Sequence, residues 1–422
     1  MASPLPDAQG FLTGLFRLAV AAADPMRVVS KNLPDRPEGR VIVVGAGKAS
    51  ARMAEAVEAA WGPCEGLVLT RYGYWRPCTG IEIVEAAHPV PDLAGEAATM
   101  RLLDRVSGLG SDDFVLALIS GGGSALLCAP ADGLTLADKI GVHSALLASG
   151  APIGEMNLVR KHLSRVKGGR LAAACYPARL LTLLVSDVPG DEPSQIASGP
   201  TFGDTSHPQD AMAVLDRYGI DSSAAVRAHL QGPTGVVAPG DPRLAHTRWR
   251  TIAAPSQSLA AAAAGAREAG FDVRILGDDL EGEARELGAD HARMALSLRT
   301  EVKGSGKTLL LLSGGECTVT RNGNGIGGPN AEFALAAAIV LDGEPGIHVL
   351  ACDTDGVDGA ADVAGAYAAP DTLGTARNVG VDPEVSLRNN DAHSFFATVG
   401  GQIVTGPTLT NVNDFRAILI EA

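Results

Sequence analysis

The sequence predicts an α/β protein of two domains, an N-terminal Rossmann-like parallel α/β/α sandwich over residues 1–240 and a C-terminal α/β domain over residues 245–422. Three observations predict it. Short apolar, β-branched runs repeatedly end in glycine and pass into Ala-rich amphipathic stretches, the rhythm of parallel strands covered by helices on both faces. At roughly 150 residues per domain, a chain of 422 residues exceeds one ordinary core. The segment from about 205 to 245 (SHPQD, QGPTG, APGDPR) breaks the rhythm with turn chemistry, as a junction would.

Taken in order, the apolar stretch Phe11 to Ala23 contains Arg17 and reads as a helix too short to span a bilayer. VIVVGAG (41–47) predicts a strand, and the Ala-rich run after it a helix from about Ser50 to Trp61. GLVLT (66–70) and IEIVEAA (81–87) predict shorter strands. FVLALISGGGS (114–124) is an apolar strand running into three glycines, and LLTLLVSDVPGD (180–191) a strand that ends in a turn. Ala211 to Tyr218 is a short helix within the junction. WRTIAA (249–254) opens the second run, with a helix to about Ala269, the strand FDVRILG (271–277) and a long helix from Glu283 to Leu298. KTLLLLSGGE (307–316), the glycine-rich NGNGIGGPN (322–330), a helix, HVLACDTDGVDG (348–359) and a segment from Asp391 complete the chain. The last strands are expected to pack back toward the cleft between domains, where open α/β sheets bind ligands.

Composition narrows the function. Lys+Arg 34 against Asp+Glu 48 gives 34 − 48 = −14, which argues against nucleic acid or an anionic membrane as partner. The 51 glycines are roughly one residue in eight, against a usual ~7%, so many positions need tight turns or close backbone approach. Six scattered cysteines without C-x-x-C spacing are the usage of a reducing compartment, and MASPLPDAQG lacks a basic leader region; a cytoplasmic protein is expected. A homodimer is expected as the commonest closed assembly.

Several constellations carry chemistry. Gly45-x-Gly47 joins a strand to a helix and offers backbone N–H groups to an anion, with Lys48 adding a point charge. The third glycine and distant acid of a dinucleotide fingerprint are missing, as is the spacing of a Walker A loop. Ser120, Gly121, Gly122, Gly123 and Ser124 form a loop suited to a phosphate or carboxylate; a nucleophile elbow is disfavoured because the final glycine is absent. Ser313, Gly314, Gly315 and Glu316 repeat Ser-Gly-Gly after a second apolar strand. NLVRKHLSRVKGGRLA (157–172) is the best basic patch, with Arg160 foremost, although part of such a run is expected to be a solvated face. Asp187 and Asp191 at one strand end, and Asp353, Asp355 and Asp358 at another, are placed to hold Mg²⁺ beside ligand phosphates or to accept a hydroxyl proton; turn capping is the alternative. An EF-hand is rejected because the twelfth position is Ala364. His88 and His393 are candidates for orienting roles.

Together the strings VGAGKAS, AAHPVPD, LISGGGSALL, NLVRKHLSRVKGGRLA, VSDVPGD, IASGPT, LSGGE, GGPNAEFAL, DTDGVDG and TGPTLTNVNDF, running in order from 43 to 415, resemble the MOFRL-type (class II) glycerate 2-kinases, often labelled hydroxypyruvate reductases. The resemblance implies two α/β domains around a cleft, with ATP and Mg²⁺ used to phosphorylate the 2-hydroxyl of D-glycerate. In that reading Lys48 and Arg160 are the cationic groups, Arg160 holding the carboxylate of glycerate. Gly45, Gly47, the Ser120–Ser124 loop, Ser313–Glu316, Asn330 and Asp355 would contact substrate or phosphate. Asp187 would be catalytic or, with Asp191, bind the metal. Two departures stand out: Pro329 and Ala331 replace the Arg and Gln common in the G-G-R-N-Q-E string, and Leu409 stands where Gly is expected. The alternatives are an NAD(P)H-dependent hydroxypyruvate reductase, and a non-catalytic binder of small anions, which the strand-end carboxylates oppose.

Overall fold

The computed structural model describes residues 7–359 and 361–422, so the first six residues of the stretch without a basic leader lie outside the described residues. The chain divides into two compact units. One is Pro25–Ile252; the other joins the N-terminal residues up to Asp24 to Ala253–Ala422. Among the described residues no helix is long and apolar enough to cross a membrane.

The Pro25–Ile252 unit is built on six strands: β1 (Val41–Ala46), β2 (Glu65–Arg71), β3 (Ile81–Ala86), β4 (Phe114–Ser120), β5 (Arg179–Val185) and β6 (Thr247–Ala253). Their order in the sheet is β3-β2-β1-β4-β5-β6, with β1 to β5 parallel. The chain turns back at β1 to place β4 on its other side, and at such a reversal the strand ends open toward solvent. All six residues of β1 are buried, as expected of a strand covered on both faces. Ile42, Val44 and Ala46 join one apolar cluster with Ala98 and Leu102 of the helix Leu93–Arg105, consistent with side chains alternating along the strand. WRTIAA lies in β6 at the edge of this sheet and does not open the second unit; the division falls after Ile252. The segment expected as a junction carries two helices, Pro208–Arg217 and Ala224–Leu230, whose Ala211, Val214, Leu215, Val226 and Leu230 pack in one cluster with Val159 and Leu163.

The other unit carries β7 (Asp272–Gly277), β8 (Gly282–Glu283), β9 (Leu309–Gly315), β10 (Cys317–Thr318), β11 (Ile347–Asp353), β12 (Gly365–Ala368), β13 (Gln402–Ile403) and β14 (Asp414–Ile420). Its main sheet runs β13-β12-β11-β14-β9-β7 and is mixed: β7 pairs parallel with β9, and the remaining pairs are antiparallel. Alternate residues of one strand belong to different cores. Leu309 and Leu311 pack with Phe333 and Leu335 of the helix Pro329–Leu341. Leu310 and Leu312 pack with Leu12, Leu15 and Phe16 of the helix Ala8–Ala22 and with Leu259, Ala262 and Ala263 of the helix Pro255–Glu268. The N-terminal helix therefore covers a face of the second sheet. The first 24 residues group there because its apolar stripe is the cover for Leu310 and Leu312, an affinity that chain order does not reveal.

Candidate active site

At the carboxyl ends of β1 and β4 two loops are locked together. Lys48 N–H donates to Gly121 O (2.8 Å), Ala49 N–H donates to Ser120 Oγ (3.0 Å), and Ser50 Oγ lies 3.1 Å from Ser120 Oγ. Ser120 is fully buried in this joint, so its hydroxyl ties strand to loop rather than facing a ligand. The glycines of Gly45-x-Gly47 also have packing reasons. A Cβ on Gly45 would run into Leu118 O of the neighbouring strand, and one on Gly47, at φ 148°, into Ser120. The pair is explained by strand contact without a dinucleotide.

Gly122 sits at φ 78°, and a Cβ there would come within 3.2 Å of both His88 Nε2 and Lys48 Cγ. The glycine loop thus brings His88 and Lys48 side by side. Burial first, then the positive charges of Lys48 and Arg71 and the proximity of His143 and Arg160, hold the His88 imidazole well below its ordinary range. This ring stays neutral amid three cationic side chains, which makes the place attractive to an anion.

Arg160 lies near the end of the helix Ile153–His162. Its Nε donates to His143 Nδ1 (3.3 Å) and its Nη1 to Asn157 Oδ1 (3.0 Å), and among the described residues it makes no ion pair with a carboxylate. Burial lowers its pKa to about 10, so it remains charged at neutral pH. His143 Nε2 lies 2.7 Å from Pro89 O, which can only accept, so Nε2 carries the proton and Nδ1 is the acceptor for Arg160. Ser198 Oγ contacts both Asn157 Oδ1 (2.8 Å) and Ser124 Oγ (2.7 Å). Ser198 follows Ala197, and both hold left-handed backbone, φ 60° and φ 53°. Non-glycine residues adopt that conformation at a cost, and it clusters where a site is held under constraint.

The rest of the basic run is structural. The helix ends at His162, so the run does not continue as one helix through 164–167. Lys161 is buried in an ion pair with Asp204, and His162 is buried between Thr234 Oγ1 (2.6 Å) and Ser206 Oγ (3.0 Å). Lys167 is fully buried on Leu127 O (2.7 Å), and Arg170 donates to the carbonyls of Lys161, Lys167 and Thr234. Only Arg165 is exposed, so the run is mostly interior support rather than a solvated face. Asp187 lies two residues beyond Val185, which pairs with Ser120, placing it at the same sheet edge as the glycine loop. Asp191 follows in a tight turn at φ 55°. Among the described residues no group of three or more His, Cys, Asp or Glu side chains is arranged to hold a metal. Two half-buried carboxylates at a strand end nevertheless suit Mg²⁺, which takes one or two carboxylates and completes its shell with water and phosphate.

In the second unit the candidate residues are differently placed. Ser313, Gly314 and Gly315 lie within β9, paired with Arg416, Phe415 and Asp414 of β14, and are not a loop. Ser313 Oγ contacts His291 Nε2 (3.3 Å), and Arg416 donates to the carbonyls of Gly314 and Gly315. A Cβ on Gly315 would strike the Leu280 backbone, which is the reason for glycine there. Glu316 is exposed. Asn330 is fully buried and donates to Asp414 Oδ1 (2.6 Å), while Asp358 caps the helix Pro329–Leu341 by accepting from Asn330 N (3.0 Å) and Ala331 N (2.8 Å) and meets His393 Nε2 at 3.0 Å. Pro329 occupies the first helical position, where its missing N–H costs nothing. Asp353 and Asp355 each accept a backbone N–H two residues on, the turn-capping alternative, and Asp355 is buried. Leu409 holds φ 64°, so leucine occupies a left-handed position of the kind glycine favours.

Sequence reading passed over Arg71, His143, Asn157 and Ser198. Arg71 stands at the carboxyl end of β2, where a cation is itself a signal; the other three form contacts between distant segments that no local pattern encodes.

Residues 11–231 match the family described as Domain of unknown function (DUF4147), and residues 309–414 match the MOFRL family. A relative from Agrobacterium vitis, named "Putative hydroxypyruvate reductase", is 52% identical over 98% of this chain and 95% of its own. A Thermotoga maritima protein named D-glycerate 2-kinase is 41% identical over 96% of this chain and 97% of its own. The crystal structure of a glycerate kinase from the same organism matches with TM-score 0.85 at 38% identity, covering 97% of this chain and 99% of that one.

Proposed function

The chain belongs to the MOFRL-type glycerate kinase family, and on that premise we propose that it transfers the γ-phosphoryl group of ATP to the 2-hydroxyl of D-glycerate with Mg²⁺ as cofactor. The observation that carries the reading is Arg160, a half-buried guanidinium whose hydrogen bonds go to neutral partners, His143 and Asn157, and whose charge, like those of Lys48 and Arg71, bears on His88. A buried cation of this kind is suited to a carboxylate, which it can bind bidentately.

Phosphoryl transfer asks little covalent chemistry of a protein and much positioning and charge stabilisation. Arg160 fixes the acid end of the acceptor. Lys48 balances charge that builds on the transferring group, and Gly122, lacking a Cβ, leaves room for Lys48 and His88 against the loop. Asp187 takes the proton of the attacking hydroxyl or, with Asp191, would hold Mg²⁺, which supplies charge neutralisation at the phosphates when bound.

The test is a coupled assay with D-glycerate, ATP and Mg²⁺, measuring ADP release and identifying the phosphoglycerate isomer, alongside hydroxypyruvate with NADH or NADPH. Metal-dependent formation of 2-phosphoglycerate is expected. Oxidation of NAD(P)H without ADP release would overturn the proposal in favour of the reductase.

A further inference from the structure

The hydrogen bonds that lead from Arg160 to Ser124 admit one direction only. Arg160 Nη1 can only donate, so the Asn157 atom 3.0 Å away is its carbonyl oxygen. The same orientation is fixed from the other side, where Asn157 Nδ2 donates to the backbone carbonyl of Gln195 (3.1 Å). Ser198 Oγ, 2.8 Å from that Oδ1, must therefore be the donor to it. Ser198 has one hydroxyl hydrogen, and it is spent there, so across the 2.7 Å contact between the two serines Ser124 donates and Ser198 accepts. Ser124 consequently has only lone pairs left to offer.

Ser124 shares the wall of a cavity of about 20 Å³ with Arg160, His143 and Lys139, room for one hydroxyl group but not for a whole three-carbon acid, so an acid could enter it only by a hydroxyl. An oxygen that can only accept disfavours carboxylate and phosphate oxygens and favours an O–H. This departs from the expectation that the Ser124 hydroxyl cradles an anion. We propose that Ser124 recognises a hydroxyl group of the acceptor substrate while Arg160 takes its carboxylate, so that the site selects acids by their hydroxyl groups. The inference rests on reading the site as that of a hydroxy-acid kinase.

The test is calorimetric binding of D-glycerate, 2-hydroxypropanoate and 3-hydroxypropanoate to the full chain and to Ser124→Ala and Ser198→Gly. Glycine suits the left-handed backbone at 198, so the second variant keeps the fold while releasing the hydrogen of Ser124. Ser124→Ala should weaken glycerate roughly ten-fold and leave one of the two deoxy acids, the one lacking the recognised hydroxyl, unchanged. Ser198→Gly should narrow the preference for glycerate over that same acid. Equal weakening of all three acids by Ser124→Ala, or an unaltered preference in Ser198→Gly, would overturn the assignment of Ser124 alone. Failure of the unaltered protein to bind any of the three would overturn the hydroxy-acid reading and the assignment with it.

Discussion

Single residues here are decided by what surrounds them. Arg160 and Lys161 are neighbours in one basic run, yet Lys161 is buried against Asp204 while, among the described residues, Arg160 bonds to the neutral His143 and Asn157. Removing the charge at Arg160 should remove the proposed anchor of the acid, together with the bonds to His143 and Asn157. For Arg160→Gln we expect kcat/KM for glycerate to fall roughly 10–100-fold, mostly through KM for the acid, with KM for ATP little changed in steady-state kinetics. Leu409 makes the opposite case, a residue at φ 64° where a side chain costs free energy. Leu409→Gly should raise stability by about 1 kcal/mol, read as a higher midpoint of urea unfolding. The departure of this residue from glycine was visible in the sequence, but its left-handed backbone was not.

Among the elements, the glycine loop after β4 and the helix carrying Arg160 do most to shape the candidate site. Gly122 is held at φ 78° with His88 and Lys48 against it, so Gly122→Ala should cost about 1–2 kcal/mol and displace both side chains. A large fall in kcat with a folded circular-dichroism spectrum is the expected result. His143 and His162, on or beside the buried helical layer, carry a pH signature. Burial, with nearby positive charge, lowers both to about 4 from 6.5. Between those values the unfolded chain binds protons the folded chain refuses, so stability is full above about 6.5 and declines as pH falls toward 4. Urea midpoints at pH 7 and pH 5 should differ in that sense, and His162→Gln should flatten the slope while lowering the midpoint at pH 7, because the bonds to Thr234 and Ser206 are lost. The strands themselves were legible, since β1, β4 and β9 are apolar runs with few competing patterns. The two Ser-Gly-Gly strings were not distinguishable. One turns into a helix and the other stays in the sheet because Gly314 and Gly315 have β14 to pair with.

For the molecule as a whole, the N-terminal helix Ala8–Ala22 belongs to the second unit by packing. Leu12, Leu15 and Phe16 are buried there, and each such side chain contributes about 1.5–3 kcal/mol. Removal of residues 1–22 should therefore cost several kcal/mol, exposing Leu310 and Leu312, and be seen as aggregation or an early thermal transition of the truncated protein. The sequence by itself determined the α/β class, the position of most strands, the Lys48 and Ser120–Ser124 loops, and the family, because these rest on local periodicity and on short strings whose order survives in one dimension. The tertiary structure decided that β6 closes the first sheet, that the first helix covers the second, that His143, Asn157 and Ser198 link Arg160 to Ser124, and that Lys48, Arg71 and Arg160 all bear on His88. Those outcomes depend on burial and on hydrogen bonds between residues far apart in the chain, 74 positions for Ser124 and Ser198 and 387 for Ala23 and Thr410, and a side chain's partners across such distances exist only once the chain has folded.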